Sequence, residues 1–208
     1  MKIITISREF GSGGREVGKR LADALGFDYY DKEILTAIAR ETGLNEDYVE
    51  KTLNDPTFLA LPLHFHSTIA TFTSFSHGLE KIDLMVKQTK VLEAIGKRGR
   101  DCVVVGRNAD VIFKDHHPLN LFICADTESK IARCAHRAEE GEDVSPKHLQ
   151  KMMHAIDKSR AESRNLITDI PWGERSHYHL TVNTSGWDIK RLVPLLADYA
   201  RSYFENQF

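Results

Sequence analysis

Arg8-Glu9-Phe10-Gly11-Ser12-Gly13-Gly14-Arg15 lies between an apolar stretch, Ile3 to Ile6, and an amphipathic one that follows at once. A glycine-rich turn between a strand and a helix is the layout that cradles phosphate. Glycine lets the backbone approach an anion closely, and the free N–H groups and dipole of a helix N-terminus favour negative charge. The literal pattern G-x-x-x-x-G-K also occurs, from Gly13 to Gly18 and Lys19, with Arg20 where a Ser or Thr should follow. Val17, Leu21, Ala24 and Leu25, however, recur at i, i+4, i+7 and i+8, the apolar stripe of a helix, so Gly18 and Lys19 fall on a helix face. The preceding strand must end near Ser7, which makes Arg8 to Gly13 or Gly14 the loop. In that register Gly14 holds the lysine position, and Arg15, at the first turn of the helix, is expected to replace the lysine where Lys19 does not.

Further along, Asp31 and Lys32 follow "FDYYD", Arg107 follows the apolar "DCVVV", Arg133 lies in a helical stretch, and Asp157, Arg160 and Arg164 share a long polar helix. Their types suit an anionic ligand, because arginine makes bidentate phosphate contacts. A structural alternative stands beside each: the loop glycines could serve a plain turn, and Asp157 with Arg160 could be an exposed i, i+3 helix pair.

These side chains can meet only if the fold brings strand ends together, and the order of elements says that it does. Strand-like Ile3–Ile6 is followed by a helix, the strand "FDYYD", the helix "KEILTAIARETG" ending at Gly43, and a helical "NEDYVEKTL" opened by Asn45, a good N-cap residue. A helix is expected from Leu79 to Lys97, with Ile82, Met85, Val86, Thr89, Val91, Leu92 and Ile95 as its apolar face. Strands "DCVVV" and "LNLFICAD", the helix Thr127 to Arg137, the helix Lys147 to Arg164, the strand in "HYHLTVNTS" and a last helix, Ile189 to Phe204, complete the chain. Alternation of strands and helices gives an open parallel sheet covered on both faces, and ligands in such sheets bind beyond the carboxyl ends of the strands. The expected organisation is one domain over residues 1–208. It carries an insert or lid-like segment at about 45–80, whose Thr-, Ser-, His- and Phe-rich core is Asn54 to His77, and a helical lid region at about 133–165.

Composition narrows the function. With 41% hydrophobic and 28% charged residues and a net charge of -2, the chain shows no basic excess for nucleic acid or an anionic membrane surface. No apolar run approaches the ~20 residues of a membrane span, and the N-terminus reads as a strand, so a cytoplasmic protein is expected. The three cysteines form no C-x-x-C and are expected to pack, and the ten histidines show no H-x-x-x-H or Cys/His quartet, so no metal site is expected from them.

"SREFGSGGREVGKRLA", "YYDKEIL", "VVVGRNAD" and "DKSRA", in this order, resemble the cytidylate kinase family of P-loop nucleoside monophosphate kinases, most closely its divergent cytidylate kinase-like branch. The resemblance covers nearly the whole chain. It implies a three-layer P-loop NTPase fold, open parallel sheet with helices on both faces, nucleoside monophosphate kinase-like. It implies ATP or GTP with Mg2+, a small nucleotide or metabolite as partner, and a monomer or homodimer. On this basis Arg8, Gly11, Ser12, Gly13, Gly14, Arg15 and Glu16 are expected to bind the donor phosphates. Asp31, Lys32, Arg107, Asp157 and Arg160 are expected to bind the acceptor, and Arg15, Arg133 and Arg160 to act in transfer. The parent loop reads G-x-S-G-x-G-K-G-T, against which Arg8 replaces the first glycine, Gly14 the lysine and Glu16 the threonine. Val105 and Asn108 replace the residues flanking G-R in the parent's acidic-G-R-D, and "DKEILTA" lacks the serine and arginine beside the base pocket. These departures leave the fold expectation in place and remove CMP as the assigned acceptor. Glu16 or Asp31 could give Mg2+ an oxygen; Glu16 could equally be a helix N-terminal carboxylate that repels phosphate. The leading reading is a phosphotransferase. Its alternatives are an anion- or nucleotide-binding module without catalysis and an interaction protein that uses the segment 54–77.

Overall fold

In the computed structural model, which describes residues 1–54, 68–139 and 141–206, five strands form one parallel sheet in the order β2-β3-β1-β4-β5. These are β1 (Ile3–Arg8), β2 (Asp28–Tyr30), β3 (Cys102–Val105), β4 (Leu119–Cys124) and β5 (Leu180–Asn183). β1 is central, with Ile4 in register with both Val103 and Leu119. The helices are α1 (Gly14–Leu25), α2 (Lys32–Thr42), α3 (Glu46–Asn54), α4 (Thr68–Lys97), α5 (Ala109–Ile112), α6 (Thr127–Arg137), α7 (Pro146–Asn165) and α8 (Ile189–Glu205).

Alternation along the strands sorts the core into two layers. Ile4, Ile6, Val103, Val105, Leu121 and Ile123 meet Val17 and Leu21 of α1 and Leu192, Val193 and Leu196 of α8. Ile3, Cys102 and Val104 meet Ile34, Leu35 and Ile38 of α2, Val49 and Leu53 of α3, and Leu84, Leu92 and Ile95 of α4. Burial on both faces explains the unbroken apolar run of β3. The chain visits β2 and β3 on one side of β1 and then crosses to β4 and β5, so the strand order reverses at β1. That is where a crevice opens in sheets of this kind.

Several local expectations are corrected. β1 runs on through Ser7 to Arg8, so Arg8 ends a strand and does not open the loop. In α1 the buried alanine is Ala22, and Ala24 faces solvent. α4 begins at Thr68 and not at Leu79, and Ile82 and Val86 are exposed, while the polar Gln88 is buried among Leu84, Met85 and Leu92. The Thr- and Ser-rich start of α4 has low helix propensity and no clean stripe, so the sequence pattern misses it. Of the segment proposed as an insert, residues 55–67 lie outside the described residues. No helix among the described residues is long and apolar enough to cross a membrane.

Candidate functional site

Beyond the carboxyl ends of β1 and β3 lies a cavity of about 680 Å³. Its floor is the loop between β1 and α1. Gly11 (φ +77) and Gly13 (φ +84) are left-handed, a conformation costly to any residue with a Cβ. They turn the chain so that α1 starts at Gly14 with its N-terminus towards the cavity. The N–H groups of Gly11, Gly13, Gly14 and Arg15 find no acceptor among the described residues, and all four residues line the cavity. Ser12, by contrast, is buried; its hydroxyl donates to the Glu9 carbonyl at 2.8 Å.

The loop is braced from three sides. Phe10 N–H donates to Asp157 Oδ1 at 2.8 Å, Lys130 Nζ pairs with Glu9 at 2.9 Å, and the Thr184 hydroxyl, just past β5, donates to the Ser12 carbonyl at 2.7 Å. Thr184 also holds Arg133, which donates to its hydroxyl at 3.1 Å and to its carbonyl at 2.6 Å. Neither Thr184 nor Glu9 was singled out by the sequence. The rule that strand ends line the site was the one signal that pointed at Thr184.

Six arginines face the cavity: Arg8, Arg15, Arg107, Arg133, Arg137 and Arg160. Arg160, on α7, donates to the Arg8 carbonyl and to Asp157, both at 2.9 Å. Asp157 does not itself line the cavity. Burial raises its carboxyl above the usual range, an effect that Arg160 partly offsets, and its role in this geometry is to hold Arg160 and the loop. Arg107 follows β3 in a turn where it and Asn108 are both left-handed (φ 60 and 54), a strained pair of non-glycine residues of the kind that clusters at functional sites. The buried Gln88 side chain donates to the Arg107 carbonyl at 3.1 Å, and Arg107 Nε is buried without a partner. Burial lowers the Arg107 guanidinium to about 10, with repulsion from Arg8 adding to it. Leu149, Met152 and Ile156 of α7, with Leu53 and Met85, add apolar surface to the lining.

Asp31 is buried at the end of β2 and takes Arg15 Nε at 2.5 Å, with Arg8 3.8 Å away. Arg15 also lies 3.8 Å from Glu50, so its charge is turned to two carboxylates. Glu16 does not line the cavity. It pairs with Arg20 at 3.0 Å and Arg137 at 2.6 Å on the flank of α1. Lys32 is exposed and outside the cavity, and Lys19 pairs with Asp23 at 3.0 Å on the solvent face.

A polyphosphate fits this arrangement: unpaired amides and under-neutralised guanidinium groups face one space. A magnesium ion held by the protein does not. Glu16 and Asp31 lie outside the cavity lining and each pairs with arginine, Asp31 through Oδ2, while among the described residues its buried Oδ1 has no hydrogen bond and no three His, Cys, Asp or Glu side chains are grouped to hold a metal.

Comparison with known proteins bears on the fold and the family. The chain is 22% identical over 202 residues to a cytidylate kinase of Haloarcula marismortui, covering 97% of this chain and 90% of that one. An uncharacterized protein of Eubacterium ventriosum has the same fold at a TM-score of 0.68 and 24% identity, over 97% of this chain and 99% of that one. Shikimate kinase of Bacteroides thetaiotaomicron superposes at a TM-score of 0.55 and 12% identity, over 96% and 98%. The fold is thus the three-layer α/β arrangement of P-loop NTPases, an open parallel sheet with helices on both faces. The kinship supports a kinase-like function and names no substrate. The match to the cytidylate kinase-like family spans residues 3–186, and the chain belongs to that family.

Proposed function

We propose that the protein is a phosphotransferase that moves the γ-phosphoryl group of ATP or GTP to a small anionic acceptor, by in-line transfer without a covalent intermediate. One observation carries the reading: four unpaired backbone N–H groups at a helix N-terminus share a cavity with arginines that lack full neutralisation. Phosphoryl transfer asks the protein for positioning and charge stabilisation more than for covalent chemistry, and these groups provide both. The amides of Gly11, Gly13, Gly14 and Arg15 would hold the donor phosphates. Arg133, held by Thr184, and Arg160, held by Asp157, both line the cavity and would stabilise the charge that develops between donor and acceptor. Arg107 would bind the acceptor's anionic group, and the apolar surface of Leu149, Met152 and Ile156 suits an acceptor with an apolar body.

The second reading, a nucleotide- or anion-binding module without catalysis, is favoured by the loss of the lysine and by the engagement of Glu16 and Asp31 with arginines. A thermal-shift panel of nucleoside mono- and triphosphates, with and without Mg2+, followed by an assay of diphosphate release, separates the two. A ligand at a hundred times its dissociation constant stabilises the protein by about 2.7 kcal/mol. Triphosphate binding with release of diphosphate is expected. Binding without any release supports the second reading, and no binding refutes both.

A further inference from the structure

In the pattern G-x-x-x-x-G-K the cation follows the last glycine. Laid over the loop, the three defining positions are Arg8, Gly13 and Gly14. We infer that the loop has exchanged its first glycine and its cation: Arg8 supplies the positive charge to the transferring phosphoryl group, and Gly14 clears the way for the Arg8 side chain. This rests on the phosphotransferase reading above and names the residue that serves it.

The space at Gly14 explains the exchange. A Cβ added there would stand 2.6 Å from Arg8 Cβ and 2.9 Å from its Cγ, so no side chain at position 14 can coexist with the Arg8 stem where it lies. Conformational freedom is not the reason for this glycine, because unlike Gly11 and Gly13 it has no positive φ. Further out, a Cβ on Gly106 would lie 1.7 Å from Arg8 Nη1 and 2.7 Å from Cζ. Arg8 therefore runs from the end of β1 between two backbone segments that lack a Cβ, one from α1 and one from the turn after β3.

At the end of that path the guanidinium is poorly satisfied. Its side chain is 11% exposed, has only Asp31 at 3.8 Å as an ion partner, and makes no side-chain hydrogen bond among the described residues. Burial, reinforced by the Arg160 charge, lowers it to about 9, and Asp31 offsets this only in part. A guanidinium with five donors and no hydrogen bond is costly to bury unless an anion completes it. Arg15 shows the contrast, since Asp31 and Glu50 already face its charge.

Position agrees with the role. Arg8 lines the same cavity as the loop glycines and Arg107, and lies 3.8 Å from Asp31. During transfer the bond from the γ-phosphorus to the bridging oxygen breaks and its electron pair leaves on the nucleoside diphosphate. An acceptor oxygen, its proton if any released to water, forms the new bond. Arg8 makes and breaks no covalent bond; it neutralises the group in passage.

Calorimetry with ATP and with inorganic triphosphate, at one ionic strength, tests the exchange on wild type, Arg8→Ala, Arg8→Met, Gly14→Lys, the double variant R8G/G14K, and Lys19→Ala as control. Loss of a charge-assisted contact should weaken both probes about ten- to a hundredfold in Arg8→Ala and Arg8→Met. The unliganded melting temperature should stay or rise, because an unpaired buried charge has been removed. Arg8→Met keeps the stem's volume and answers the question if Arg8→Ala fails to fold. Gly14→Lys alone should be as weak as Arg8→Ala, whereas R8G/G14K should regain most of the affinity and Lys19→Ala should match wild type. Wild-type affinity in Arg8→Met, or no recovery in the folded double variant, overturns the exchange and leaves the phosphotransferase reading standing. A wild type that binds neither probe overturns that reading together with the exchange.

Discussion

Arg164 and Asp110 offer the sharpest test of how the site is held in place. Their side chains are 0% and 1% exposed, 2.7 Å apart, and join α7, which carries Arg160 to the cavity, to α5, which follows the Arg107 turn. Arg164 Nε also donates to the Ile170 carbonyl at 2.8 Å, and Asp110 takes His177 Nε2 at 2.9 Å. Asp110→Ala would leave the Arg164 charge buried against one carbonyl, with its Nη2, already partnerless, beside the gap. Breaking a buried pair from one side costs about 3–5 kcal/mol, whereas replacing both partners by apolar groups is often neutral or stabilising. We therefore expect Asp110→Ala to lose about 3–5 kcal/mol in urea unfolding, Arg164→Met to lose a comparable amount, and the double variant to lose far less than the sum. A double variant as unstable as the two losses added would refute the reasoning, because it would make the residues independent.

The same pair predicts a pH response. Burial pushes the Asp110 carboxyl up, but the hydrogen bond from His177 and the Arg164 charge outweigh it, and the folded group lies below its ordinary value. A depressed folded value means that the stabilisation is complete above the ordinary carboxylate range and is lost as pH falls through it towards the folded value. Unfolding free energies of wild type should thus fall more steeply than those of the Asp110→Ala/Arg164→Met variant on acidification below about pH 4. Parallel curves would refute the assignment.

Two further outcomes follow from the site. Gly13→Ala forces a Cβ into a φ of +84 and to 2.4 Å from Ile189 Cδ1; it should cost about 1–2 kcal/mol in backbone strain and abolish the wild-type binding of inorganic pyrophosphate, followed by calorimetry. Retained affinity would show that the loop amides are not the anion site. CMP, lacking the serine and arginine that the parent family places beside its base, should turn over at least tenfold more slowly than the best acceptor found in a diphosphate-release screen; equal rates would show the base pocket rebuilt from other residues.

Much of the frame was legible because it depends on local pattern. Gly43 ends α2, Thr127–Arg137 forms a helix, and the apolar run Val103–Val105 is an inner strand of the sheet, each as periodicity and chain punctuation require. What stayed hidden depends on contacts between distant segments. Gln88 reads as a flaw in an apolar helix face until its amide is seen on the Arg107 carbonyl, and Thr184 reads as a polar strand end until it is seen tying Ser12 to Arg133. The glycines make the point most clearly. Gly11 and Gly13 are required by their own backbone angles, which a turn motif can announce, whereas Gly14 and Gly106 both border the Arg8 side chain. Gly106 has a positive φ as well, so it answers to both demands; Gly14 answers to Arg8 alone. In sequence the four are the same letter, and a loop whose glycine at the lysine position looks like a lost cation is, in three dimensions, a loop in which another residue's cation needs the room.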